Sequence, residues 1–247
     1  MKNGREALIL QPRDQLLLHF LAELRILDRS QIERLAGFGS ISRVNVRLAR
    51  LRGNGLILRY FTATSTGSRR SIYALSKQGA REVSTPYRPL KWPSDTIVLG
   101  NAFVAHQLTL NDLYIRAMKE GIRWQRPDKP LVPAVPLIPD AYMKDASTSF
   151  FVELDLGTEA LPVWTRKVTE YLKLAVSGTY LQIIPHSFFA VLIVANSEKR
   201  LRSLRQQVAK QTQKLFWFAT LETINRQGFW SVSWLRATGD HLSFPGA

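Results

Sequence analysis

Residues 30–61 read SQIERLAGFGSISRVNVRLARLRGNGLILRYF, and this stretch decides the fold of the first third of the chain. Ser30 opens a short helix, with Glu33 three residues on in capping-box spacing and Gly37 at its end. Ser40 opens a longer helix, SISRVNVRLARLRGNG (40–55). Ile41, Val44, Leu48 and Leu51 recur along it at helical spacing as a buried stripe, and Asn54-Gly55 stops it. Arg43, Asn45, Arg47, Arg50 and Arg52 fall largely off that stripe. Two helices joined by a short Gly-containing turn make a helix-turn-helix, whose second helix suits a DNA major groove.

Working outward, residues 12–27, PRDQLLLHFLAELRIL, carry Leu16, Leu17, Phe20, Leu21 and Leu24 at helical spacing, with Pro12 and Asp14 suited to a first turn. On the other side, LILRYF (56–61) and RSIYAL (70–75) read as two strands joined by the tip TATSTGSR. Arg69 and Arg70 lie at the end of that wing. SKQGAREV (76–83) then forms a closing helix. Three helices, a two-stranded wing and a helix predict a winged helix-turn-helix over 1–85. The Arg face of residues 43–52 would meet phosphates and guanine edges, and Arg69 and Arg70 the backbone or minor groove.

Charge supports that placement. Across 247 residues, 34 Lys and Arg exceed 19 Asp and Glu, a net +15. Residues 1–90 alone hold 16 basic and 6 acidic residues, a net +10. Such an excess points to a polyanionic partner, here double-stranded DNA. The absence of Cys removes disulfide scaffolds, Cys-ligated zinc, iron–sulfur clusters and thiol nucleophiles. No apolar run reaches the ~20 residues of a membrane span, so no membrane partner is expected and the compartment is read as cytoplasmic. Four His residues, at 19, 106, 186 and 241, show no metal-ligand spacing.

The three prolines of STPYRPLKWPSD (84–95) mark a linker, assigned to 86–95. Residues 96–247 read as an α/β domain with a mixed sheet flanked by helices. Its expected elements are a helix over 96–120, a strand in SFFVELDLGTE (149–159), a helix over 162–178 and a buried strand SFFAVLIVAN (187–196). A long helix from Ser197 to Ile224, a short strand FWSVSWL (229–235) and a tail from 236 complete it.

Acidic residues are scarce here, so their spacing carries information. Asp140 follows Pro139, Glu153 and Asp155 lie two apart on one strand and so share a face, and Glu159 follows in the next turn. Lys167 and Tyr171 lie one turn apart on the next helix. Carboxylates converging beside DNA repel it unless a cation intervenes, and oxygen ligands suit Mg²⁺ or Mn²⁺. Such an ion, held by Asp140, Glu153, Asp155 and Glu159, would generate hydroxide, and Lys167 would stabilise the charge on a phosphodiester oxygen. The plainer reading is that Glu153 and Asp155 pair with local Arg or Lys. For Tyr171, packing in the helix is preferred to a covalent role.

The series PD…ExD-LGTE…K…Y over 139–171 resembles the PD-(D/E)xK restriction-endonuclease-like core. Combined with an N-terminal winged helix, it resembles the replication-relaxation family of mobile elements, over roughly residues 12–235. It is also similar to relaxases of the MobC type. The resemblance implies metal-dependent nicking at a replication or transfer origin, with Asp140 and Glu153 as acidic ligands and Lys167 as a displaced lysine. Asp155 stands where the endonuclease pattern has its Lys, as in the ExDxGTE form of the replication-relaxation family.

Three functions fit these residues. One is a nicking endonuclease of plasmid replication or conjugation. The second is a non-catalytic DNA-binding regulator or recruitment factor with a degenerate nuclease fold. The third is a protein-interaction module of the antirepressor kind. Replication or transfer proteins and a second copy of the chain are the expected protein partners.

Overall fold

Pro12 starts the first helix, α1 (Pro12–Leu24), where a missing N–H costs nothing, and the Asp14 carboxylate accepts from the Gln11 amide at 2.7 Å. The computed structural model describes residues 8–63, 68–98 and 101–239, and the backbone of 241–242. The chain divides into two compact units, Met1–Ile115 and Arg116–Ala247.

In the first unit α1 buries Leu17, Leu18, Phe20, Leu21 and Leu24, while Leu16 is 45% exposed. Leu17, Phe20, Leu21 and Leu24 are buried as expected, and Leu18 takes the place of Leu16 on the apolar face. The expected helix to residue 27 stops at Leu24, because Ile26–Asp28 forms a strand, β1, antiparallel to a later one. Asp28, not Ser30, caps α2 (Arg29–Ala36): its carboxylate accepts from the Gln31 amide at 2.8 Å, and the Gln31 side chain returns the bond at 3.3 Å. Two overlapping capping frames exist, and the one beginning at a charged acceptor prevails. Gly37 closes α2 in the left-handed region at φ 61°, which only glycine adopts without strain. Ser40 then caps α3 (Ile41–Gly53) as expected, accepting from the Arg43 amide. Val44, Leu48 and Leu51 are its buried stripe, and Ile41 is exposed.

The wing is β2 (Ile57–Ala63) paired antiparallel with β3 (Arg69–Leu75), and β1 adds to the other edge of β3. The wing tip at 64–67 lies outside the described residues. Ser76 caps α4 (Lys77–Glu82). A Cβ on Gly79 would lie 2.1 Å from the Leu56 carbonyl oxygen, so α4 packs this closely only with glycine there. Residues 86–95 hold no helix or strand, but Leu90 and Trp92 pack on the sheet core around Tyr60 and Ile72. The Val98 amide bonds the Phe61 carbonyl at 2.7 Å. Helix α5 (Ala102–Lys119) is fastened within this unit by its polar side chains. Asn111 donates to the Ile26 carbonyl at 2.6 Å, and the Leu108 carbonyl accepts from Gln31 at 2.8 Å. The order of helices and strands is the one expected of a winged helix-turn-helix.

The second unit is built on a seven-stranded sheet. Its strands are β4 (Trp124–Gln125), β5 (Ala141–Lys144), β6 (Ser149–Asp155), β7 (Phe189–Ala195), β8 (Phe216–Thr220), β9 (Trp234–Arg236) and β10 (His241–Leu242). They lie in the spatial order β10-β9-β8-β7-β6-β5-β4. β6, β7 and β8 are parallel and the remaining pairs antiparallel, so the sheet is mixed. Every residue of β6 and β7 is buried, which accounts for the unbroken apolar run of β7 and leaves Glu153 and Asp155 of β6 as buried charges. Helices α6 (Leu161–Ser177) and α7 (Glu198–Ala209) cover one face. Trp164, Val168, Tyr171, Leu174, Leu201, Leu204 and Val208 meet Phe151, Val191, Ile193, Phe216 and Phe218 there.

Three expectations fail in this unit. The helix from Ser197 ends at Ala209, and the aromatic run FWFAT that follows is the interior strand β8. A continuous apolar run fits either period; the helix ends at Ala209, and a non-helical connection, 210–215, whose last residue Leu215 has φ 75°, leads into the strand. A separate helix, α8 (Leu221–Gln227), follows β8. The last expected strand shrinks to Trp234–Arg236, preceded by a turn. The expected tail contributes β10, which pairs with β9; residues 243–247 lie outside the described ones. Among the described residues no helix is long and apolar enough to cross a membrane.

Candidate functional site

Glu153 and Asp155 leave β6 on the face covered by α6 and α7, as their spacing of two requires. Trp164, Lys167 and Tyr171 follow one another on one side of α6 at helical spacing, above the two carboxylates. The Tyr171 hydroxyl donates to Glu153 Oε1 at 2.7 Å, and the Lys167 ammonium donates to Oε2 at 3.0 Å. Lys167 also reaches Glu159 at 2.9 Å and stands 4.9 Å from the Trp164 ring centre. Asp140, just before β5, accepts from the Leu154 amide at 2.8 Å.

Asp155 turns elsewhere. Arg200, in the first turn of α7, grips it with two bonds of 2.8 Å, and the Gly157 amide and Trp164 indole N–H also donate to it. Arg200 additionally donates to the Glu159 carbonyl at 2.6 Å, fixing the LGTE turn.

Burial is the largest influence on Glu153 and pushes its carboxyl up to about 7; nearby Asp140 adds to the rise, while Lys167 and Tyr171 oppose it. Burial would lower Lys167, but Glu153 and Glu159 outweigh it and hold the ammonium above the ordinary lysine range. Burial would raise Asp155, but the bonds from Arg200, Gly157 and Trp164 hold it below the ordinary carboxylate range. Tyr171, raised by burial and by Glu153, stays protonated as a donor.

The structure therefore brings Glu153, Glu159, Lys167 and Tyr171 together and directs Asp155 to Arg200. Among the described residues no three His, Asp or Glu side chains are grouped as a divalent ion needs. The positive charge between Glu153 and Glu159 is the Lys167 ammonium, and the one on Asp155 is Arg200. In this arrangement the four carboxylates do not fit Mg²⁺ or Mn²⁺, which need several oxygens directed at one point. Arg200 was not foreseen. It lies 45 residues from Asp155 in a stretch with no local pattern linking them.

In the first unit, α3 contains no acidic residue. Ser42, Arg43, Asn45, Val46, Ala49 and Arg50 form its exposed side, small except for the two arginines and Val46. A shallow groove beside it is lined by Arg13, Phe38, Arg43, Val46, Arg47 and Arg50, with Arg13 over the Phe38 ring at 5.1 Å. Arg13 was also missed, since nothing in the sequence places α1 beside α3. The other residues singled out, Arg69 apart, are engaged within the unit. Arg47 binds the buried Asp14 carboxylate through the Nε–Nη2 edge of its guanidinium, and Nη2 also donates to the Ile9 carbonyl at 2.9 Å. Arg52 and Arg59 share Asp95 at 2.8 Å each. Arg70 lies 3.3 Å from Asp28, and Asn45 accepts from Arg29 at 3.3 Å. Arg69 is exposed on β3.

The replication-relaxation family matches residues 18–186, a span that includes α3 and the Glu153–Lys167 pair. No curated protein and no solved structure matches the chain.

Proposed function

The chain belongs to the replication-relaxation family, and from that membership we propose that it is a double-stranded-DNA-binding protein of a mobile element. In this reading the winged helix of the first unit docks on a replication or transfer origin. One observation carries it: the outward side of α3 is acid-free, small in profile and flanked by Arg43 and Arg50. A helix of that kind can approach base edges closely while its arginines meet phosphates or guanine. Arg13, in the groove beside α3, extends that basic surface, and Arg69 is exposed on the wing. Arg47 positions α3 against α1 instead of contacting DNA.

The test is fluorescence anisotropy with duplex DNA at several salt concentrations. Wild-type affinity should fall steeply with salt. The double substitution R43A/R50A should weaken binding and reduce the salt slope by about 2. An unchanged slope would remove α3 from the interface, and salt-insensitive binding would favour a protein-interaction module.

A specific observation favours the recruitment reading for the second unit over nicking. Glu153 and Asp155 are each matched by a cation of the chain itself, Lys167 and Arg200. The unit then serves as a nuclease-like platform that brings replication or transfer proteins to the bound DNA. Supercoiled plasmid carrying the origin, incubated with Mg²⁺ or Mn²⁺ beside an E153A control, decides between the two. Intact plasmid with DNA still bound supports the platform. Nicking that E153A loses restores the endonuclease.

A further inference from the structure

Arg25 ends α1 in an uncommon way. It has φ 67° and ψ −51°, a positive φ at a residue with a Cβ. Such strain persists where surrounding structure enforces it, and it concentrates at ligand-binding positions. Arg25 is half-buried, its Nε has no hydrogen-bond partner, and its guanidinium lies 5.2 Å from the Phe103 ring centre. Burial and the neighbouring Arg88 both act to lower its pKa, so a second positive charge faces it.

The side chain borders a cavity of about 320 Å³. Trp92 and Phe103 form aromatic walls, their rings 6.2 Å apart and inclined by 50°. Leu90 adds an apolar wall, and Lys91 and Asn101 supply a second cation and an amide. The volume lies at the small end of ligand pockets, which are mostly apolar with a few directed polar groups. Cations set against aromatic planes suit a ligand that is planar at one end and anionic at the other.

We propose that the Arg25–Trp92–Phe103 cavity is a binding site for a nucleoside phosphate, with the base against Trp92 and the phosphate on Arg25 and Lys91. Asn101 is placed to hydrogen-bond the base edge. The ligand is either a free nucleotide or the phosphorylated end of a DNA strand. The site uses neither Arg43 nor Arg50, so it stands or falls separately from the duplex-binding reading.

The experiment is calorimetric titration of the whole chain with AMP, adenosine, inorganic phosphate and a 5′-phosphorylated oligonucleotide. AMP should bind at least about tenfold more tightly than adenosine or phosphate, because only it offers both recognised ends. R25G should lose about tenfold or more in AMP affinity without a fall in melting temperature, since glycine accepts the positive φ. K91A, at an exposed position, should lose severalfold and leave folding unchanged. AMP binding no tighter than phosphate, or full affinity in both R25G and K91A, would overturn the proposal. Displacement of AMP by the oligonucleotide assigns the site to a strand end; its failure to displace assigns the site to the free nucleotide.

Discussion

Arg200 holds Asp155 through two parallel bonds, Nε to Oδ1 and Nη2 to Oδ2, each 2.8 Å. The carboxylate is fully buried and the arginine side chain is 16% exposed, so the pair joins the end of β6 to the first turn of α7 in a largely dry setting. Removing one partner of such a pair leaves an uncompensated charge, which costs roughly 3–5 kcal/mol. R200A should therefore lower unfolding stability by about that amount in a urea titration. R200K should recover only part of it, because an ammonium cannot reproduce the two-bond geometry. A loss below about 1 kcal/mol would mean that Asp155 reaches water in the folded chain.

Lys167 does for Glu153 what Arg200 does for Asp155, but with more access to solvent, at 22% side-chain exposure. K167M should cost roughly 3 kcal/mol, the lower end of the range for a broken buried pair. E153Q/K167M should be more stable than K167M alone, since no charge is then stranded beside Tyr171. A double-mutant cycle by urea denaturation measures the coupling, and additive losses would show that the two charges do not interact.

The two carboxylates should respond to pH with opposite signs. Glu153 is pushed up to about 7 when folded, so between the ordinary carboxylate range and pH 7 the folded chain holds a proton that the unfolded chain releases. Its contribution to stability is thus present at low pH and declines as pH rises through that window. Asp155 is held below the ordinary range, so its contribution is present above that range and lost as pH falls through it. Melting temperature measured from pH 3 to 8 should show E153Q flattening the decline toward neutral pH. D155N should flatten the loss on acidification. A wild-type decline that E153Q leaves intact would assign it to another group.

Local signals in the sequence found what local forces decide. Ser40 and Ser197 cap the helices expected of them, because a hydroxyl accepting from the amide three residues on needs no tertiary partner. The buried run 189–195 is a strand bounded by neighbours on both sides of the sheet, as its uninterrupted apolarity indicated. The strands β1 and β8 were missed because each continues the apolar pattern of the helix before it. Arg25 alone, at positive φ, separates β1 from α1, whereas the connection 210–215, ending in the positive-φ Leu215, separates β8 from α7. Within the site, the shared face of Glu153 and Asp155 was legible from their spacing of two. The plainer reading, pairing with Lys or Arg, describes their contacts. The partner of Asp155 was not legible, since Arg200 reaches it only after β6, α6 and β7 are packed.

The same distinction separates two arginines four residues apart on α3. Arg47 turns inward, 13% exposed, and binds Asp14, whose side chain is 1% exposed. Its pKa is raised chiefly by the bonds to that carboxylate, which ties the first turn of α1 to the middle of α3. R47A should leave Asp14 buried without its cation and destabilise the chain by roughly 3 kcal/mol or more. Any loss of DNA binding would then follow from loosening of α3 against α1. Arg43, exposed one turn earlier, should behave in the opposite way, with R43A keeping full stability and losing DNA affinity. The double variant D14N/R47M removes both charges and should regain stability, and with it DNA binding, if Arg47 only positions the helix. Urea denaturation and anisotropy on the same preparations separate the two roles. A stable D14N/R47M that binds DNA poorly would place the Arg47 guanidinium at the DNA itself.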